Sequence, residues 1–278
     1  MRGALSLGAV LRESAGIVFR HVPALLVLAA VAHGPWVVFY LDRMHVWWAY
    51  LQSDDLEFGG FAAVMAGWMA LIYGPLLSGF FFQTAIVRGV YLTRTGARFP
   101  FWKGLGRLRR LPIAILVAVL MALAVGAVVA GSTFGVHLLS EALGAAPLVL
   151  LGLMAYLIGL GIVSVWFVAV QVSVAEKGGP FRALGRSAFL TRGSRWRIFA
   201  LLLVLVALGL GGLWGGGALL PTGAEQRPWS QEIWRHLLWA AFPILASTLH
   251  AVAAGVVYHH LRRAKEGIEV GEATQVFE

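Results

Sequence analysis

"EKGGPFRALGRSAFLTRGSRW", residues 176–196, separates two charge-free runs, 142–175 and 198–224. It holds four arginines, a lysine and a glutamate. If the flanking runs are membrane helices, this is a charged turn at a bilayer surface; if they are soluble core, it is an ordinary loop. Composition separates the two readings. The 278 residues are 59% hydrophobic and 13% charged, with a mean hydropathy of +0.80, whereas a soluble domain carries about 25% charged residues. Eleven tryptophans and 34 glycines suit membrane helices and their edges. Lipid, not water, is the expected solvent for most of the surface.

Charge-free runs recur at 21–41, 58–87, 111–140, 142–175, 198–224 and 236–261. Each exceeds the roughly 20 residues that cross a bilayer as a helix, and none alternates with the period of a barrel strand. The reading is an all-α polytopic membrane protein with six transmembrane helices and cytoplasmic interfacial helices. Residues 1–267 form one membrane domain, and 268–278 a short cytoplasmic tail. Arg12, Glu13 and Arg20 interrupt the start of the chain, so no cleaved signal is expected there. With no cysteine, disulfides and thiolate chemistry are excluded.

Nineteen of the 22 Lys and Arg residues fall in four segments: the N-terminus to Arg20, 88–110, 177–197 and 262–265. A six-span chain puts all four on one side. The other side holds Arg43, Arg227 and Arg235 among Asp42, Asp54, Asp55, Glu57, Glu141, Glu225 and Glu232. The positive-inside rule then predicts both termini in the cytoplasm. The net charge of +9 is thus spread over span ends facing anionic headgroups, so membrane phospholipid and no nucleic acid is the expected partner.

"GAVLRESAGIVFRHVPALLVL" from Gly8, "FPFWKGLGRLRRLPIAILVAVL" from Phe99 and "GPFRALGRSAFLTRGSRWRIFALLLVL" from Gly179 each read as a short basic helix followed by a membrane helix. Three units of surface helix plus two-span hairpin would account for the whole domain. Ala114, Ala118, Ala122, Gly126 and Ala130 recur every four residues, a low-relief stripe for close helix packing. That seam serves the chain itself or, in a homo-oligomer, a second copy; a membrane-protein partner is the other candidate.

Residues with chemical potential are few. There is no HExxH, GxSxG or phosphate-loop motif, so no catalytic residue, metal site or cofactor is expected. His33, Gln83, Gln171 and His250 lie within apolar runs, and polar groups there are candidates for a lined path. No aspartate or glutamate accompanies them within those runs. "AHGPW" around His33 and "AAFPIL" around Pro243 could break helices, as transporter sites do. An enzyme reading would use His259 or His260 beside Arg262.

In the 176–196 segment, Glu176 can reach Arg182 or Arg186 if the short helix folds back. Arg182 and Arg186 stand four apart, on one helical face, with Arg192 and Arg195 beyond. These five residues are either a headgroup-binding site or a structural turn. A specific headgroup site would use Arg182 and Arg186 together, as planar forks on phosphate oxygens.

Glu176, Gly179, Pro180, Ala183, Leu184, Arg186, Ser187, Leu190, Thr191, Gly193 and Trp196 form a pattern that resembles the membrane-domain family found fused to some glycerophosphoryl diester phosphodiesterases, related to the YciC-like inner-membrane proteins. Tyr258, Leu261, Arg262, Lys265, Glu266 and Gly267 resemble the end of that family, and the likeness covers residues 4–267. It implies a six-helix membrane domain with repeated interfacial segments. It implies no phosphodiesterase activity, because the acidic metal ligands of the fused catalytic domain have no counterpart here. The expected function is a non-enzymatic inner-membrane protein organising lipid or a membrane partner. The alternative is a lipid or small-solute transporter, with a lipid-modifying enzyme behind it.

Overall fold

The computed structural model describes residues 5–51, 83–84, 86, 90, 110–124, 127, 145–176, 178–219 and 229–267. Every regular element among them is helical. In chain order they are α1 (Leu7–Arg20), α2 (Val22–Leu51), α3 (Leu111–Ala124), α4 (Ala145–Trp166), α5 (Ala169–Ala175), α6 (Pro180–Thr191), α7 (Arg195–Leu219) and α8 (Trp229–Glu266).

α1 starts where Ser6 Oγ accepts the Ala9 amide, and it buries Val10, Ser14 and Ile17, one face of the helix. Its axis meets that of Val22–Pro35 at 87°. α2 continues through Pro35, and α8 through Pro243, so neither proline breaks its helix as the sequence suggested. α4 and α5 are separated by a turn at Phe167–Val168. Pro180 then starts α6 in its first turn, where a missing N–H costs nothing.

α8 is the hub, packing against α1, α2, α5, α6 and α7. Residues 251–259 are buried without a break, so this stretch is enclosed all round. Gly255 permits it: an added Cβ would lie 3.2 Å from Val90 Cγ1. The exterior is apolar instead. Leu26, Val27 and Val31 on α2, Leu116 and Leu123 on α3, Leu153, Met154 and Ile158 on α4, and Leu208 on α7 are exposed. Gln83, Gln171, His33 and Thr248 are buried. Exposed apolar faces around a partly polar interior identify a helical membrane protein.

The expected count of six transmembrane helices is corrected. Among the described residues two helices are long and apolar enough to cross a membrane, Tyr156–Ala175 and Ile244–Glu266, or three if the bent pair Leu7–Arg20 and Val22–Pro35 forms one span. A charge-free run reports which solvent the side chains tolerate, not where the axis turns. The first run follows a sharp bend and α3 is a short apolar helix within the 111–140 run, whereas the fourth run carries the Tyr156–Ala175 span through the turn at Phe167–Val168. Residues 58–82, the basic stretch 91–109, the acids Asp54, Asp55, Glu57, Glu141 and Glu225, and the tail 268–278 lie outside the described residues. Ala114 and Ala118 of the small-residue stripe are buried, whereas Ala122 is exposed; Gly126 and Ala130 lie outside the described residues.

Short helix, turn, long helix occurs twice, in α1–α2 and α6–α7. The second turn uses Gly193 at φ +89°, a left-handed conformation that a Cβ disfavours. Gly193→Ala is expected to cost about 1 kcal/mol and to lower the unfolding midpoint of the detergent-solubilised protein slightly.

Candidate functional site

Glu176 caps α5 in an extended conformation, its amide still bonded to the Val172 carbonyl at 2.8 Å. The chain passes Gly178 and Gly179 and returns as α6. The fold-back brings Arg186 to Glu176, with Nε 3.1 Å from Oε2; Arg182 is not the partner. The far side of the Arg186 fork, Nη2, bonds Glu266 Oε1 at the end of α8. Tyr258, Arg262 and Glu266 stand four apart, on one stripe of α8. Tyr258 donates to Glu176 Oε1 at 3.0 Å, and Arg262 Nε donates to Glu266 Oε2 at 3.0 Å. Two carboxylates and two guanidiniums therefore balance in one clasp between α5, α6 and α8. Its ion-paired side chains are 11 to 28% exposed.

A second tie reaches α1, where His260 Nε2 lies 2.9 Å from Glu13 Oε2. Basic segments from the N-terminus, the 176–197 stretch and the C-terminal stretch thus meet at one end of the bundle. Gly267, at φ +68°, ends α8 there by bonding its amide to the Arg263 carbonyl at 3.2 Å.

The remaining arginines of the segment stand differently. The stem of Arg182 covers Gly178, where an added Cβ would come 2.8 Å from Cδ, and it lines a shallow cleft with Val172, Ser173, Glu176 and Ala183. Arg192 is the C-cap residue of α6, and Arg195 donates to the Ala188 carbonyl at 3.3 Å. Both are exposed.

The four intramembrane candidates sit in helix seams. Gln171 Nε2 donates to Gln83 Oε1 at 3.4 Å, a long bond between buried amides. His33 Nε2 lies 3.0 Å from Ser247 Oγ, joining α2 to α8. His250 packs edge-on against Phe167, with ring centroids 5.2 Å apart. The structure pairs the two glutamines and gives each histidine a separate neighbour. Of the enzyme candidates, His260 faces Glu13 and His259 is buried. Among the described residues no group of three His, Asp or Glu side chains could hold a metal ion.

Sequence reasoning missed Glu266, Tyr258 and Lys265 as partners of the 176–196 segment. The available signal was the stripe Tyr258–Arg262–Glu266, whose four-residue spacing puts a phenol, a cation and an acid on one face. It also missed Ser187 and Thr191, whose hydroxyls both donate to the Val165 carbonyl, at 3.2 and 3.0 Å. No family model, curated protein or solved structure matches this chain.

Proposed function

We propose that this chain is a non-enzymatic protein of the bacterial inner membrane that organises lipid or a membrane partner, with its basic end in the cytoplasm. The observation that carries this reading is the surface of that end. Phe19, Phe181, Phe189 and Trp196 are all more than half exposed, and they alternate in sequence with Arg20, Arg182, Arg192, Arg195 and Arg197. Aromatic rings beside long cations suit the headgroup layer, where the rings meet acyl chains and the cations meet phosphates. α6 divides accordingly: Ala183, Ser187, Leu190 and Thr191 face inward, while Phe181, Gly185 and Phe189, four apart, face outward.

Other features support the same reading. The carboxylates of the clasp are each paired with arginine, a poor arrangement for a general base. Glu176 and Arg186 on one side and Tyr258, Arg262 and Glu266 on the other are the two halves of the clasp, which suits a structural role for both. The seam positions of His33, Gln83, Gln171 and His250 favour packing over a lined route.

The cysteine-free chain permits a direct test. Ser194→Cys and Ala264→Cys should react with a membrane-impermeant maleimide only after the inner membrane is permeabilised. Labelling of intact spheroplasts would overturn the orientation. In proteoliposomes, solute flux above that of empty vesicles would overturn the organising role in favour of transport.

A further inference from the structure

Three cations gather at the carboxyl end of α6. Lys265 Nζ donates to the Phe189 carbonyl at 2.7 Å and stands 4.8 Å from the Phe189 ring centroid. Arg195 Nη2 donates to the neighbouring Ala188 carbonyl. Arg192 caps the helix, and Lys265 lies within electrostatic reach of both arginines. The helix end explains the gathering, because its last carbonyls are thinly satisfied, that of Phe189 by the Arg192 amide at 3.3 Å, and carry partial negative charge. About half an elementary charge cannot balance three whole ones. The nearby carboxylates, Glu176 and Glu266, are engaged by Arg186 and Arg262. Among the described residues no carboxylate pairs with Arg192, Arg195 or Lys265. Each cation keeps donors beyond those used, since a guanidinium has five N–H groups and an ammonium three.

The surroundings indicate which anion would complete the trio. Phe189 is 53% exposed in the midst of the cations, and Trp196 beside Arg195 is 82% exposed. A free anion would gain nothing from these rings, whereas a lipid sets its phosphate on the cations and its glycerol and upper acyl carbons on the aromatics. We propose that Arg192, Arg195 and Lys265 form a binding site for the phosphate of an anionic phospholipid, with Phe189 as its apolar floor. This deepens the membrane-organising reading and rests on it for the position of the bilayer. It differs from a clamp of Arg182 with Arg186, because the Arg186 fork is filled by two carboxylates. The arginines supply paired N–H donors to phosphate oxygens and the lysine a point charge.

The test uses the full chain in a neutral detergent, titrated with phosphatidylglycerol, phosphatidylcholine or inorganic phosphate. Bound lipid is read by native mass spectrometry, and folding by circular dichroism. The wild type should favour phosphatidylglycerol over phosphatidylcholine, and the triple variant Arg192→Gln, Arg195→Gln, Lys265→Gln should lose about a hundredfold in phosphatidylglycerol affinity, as expected for three lost headgroup contacts of about fivefold each. Arg263→Gln, an exposed cation outside the trio, should change it by less than the roughly fivefold of one headgroup contact. Lys265→Arg should retain binding. If the triple variant misfolds, the single variants decide, each expected to lose affinity where Arg263→Gln does not.

Wild-type affinity in the folded variants would overturn the site, as would equal retention of the two lipids by the wild type. Displacement of phosphatidylglycerol by millimolar inorganic phosphate would overturn the lipid assignment. Solute flux in proteoliposomes with the lipid preference intact would overturn the organising function and leave the site standing. Absence of flux with no lipid preference would do the reverse.

Discussion

Arg186→Ala is expected to lower the apparent unfolding midpoint of the detergent-solubilised protein by roughly 5 to 10 °C, the shift that about 2–4 kcal/mol produces in a chain of this size. The guanidinium stands between Glu176 and Glu266. Its removal leaves two carboxylates facing one another, each only about one-fifth exposed. The larger part of the cost is that uncompensated charge, since a fully intact pair in such a place contributes modestly after desolvation. Glu266 retains Arg262 and Glu176 retains Tyr258, which holds the loss below that of a wholly buried pair. Arg186→Lys keeps the charge but not the fork, so it cannot serve both acids at once and should lose about half as much. A double-mutant cycle with Glu266→Ala should show coupling of about 1 kcal/mol or more, as residues in one network do. Wild-type midpoints for both Arg186 variants would show that the clasp does not hold the helices together.

This expectation also divides what the sequence could disclose from what it could not. Glu176 and Arg186 are ten residues apart, and a helix begun at Pro180 returns one to the other, so their meeting was among the readable options. Glu266 lies 80 residues from Arg186. Nothing local selects it until α8 is known to end beside α6. The all-helical character and the limits of α6 and α7 follow from apolar runs, Pro180 and Gly193. The number of spans does not, because the bend between α1 and α2 is set by what packs against them. Arg182 and Arg186 shared a helical face in the sequence pattern and were expected to act together. In the fold the stem of Arg182 covers Gly178 beside the start of α6, while Arg186, one turn further on, reaches Glu176 and crosses to α8. Lys265 entered as a basic residue near a membrane end and as part of the C-terminal motif, with no partner assigned. Its place over Phe189 requires the same tertiary contact that brings Glu266 to Arg186.

The turn at Phe167–Val168 gives a second large effect, with a non-additive signature. α4 ends at Trp166, and the last carbonyls of a helix have no intrahelical partners. One of them, Val165, accepts both Ser187 and Thr191 hydroxyls, which are fully buried on the inner face of α6. Either hydroxyl alone satisfies the oxygen. Ser187→Ala or Thr191→Val should therefore cost only about 0.5–1 kcal/mol, the ordinary value of one hydrogen bond within a membrane protein. Together they should cost about 2–3 kcal/mol, because the carbonyl is then buried without a donor. Thr191 Oγ1 also lies 2.9 Å from the Ser187 carbonyl; its single proton serves one carbonyl at a time, so Val165 draws on it fully when Ser187 no longer donates. Unfolding midpoints of the two single variants and the double variant measure the difference directly. A double variant equal to the sum of the singles would mean that water or another donor reaches Val165. A cost well above that sum would identify this carbonyl as the point where α6 is fastened to the interrupted helix, holding the basic segment against the apolar bundle.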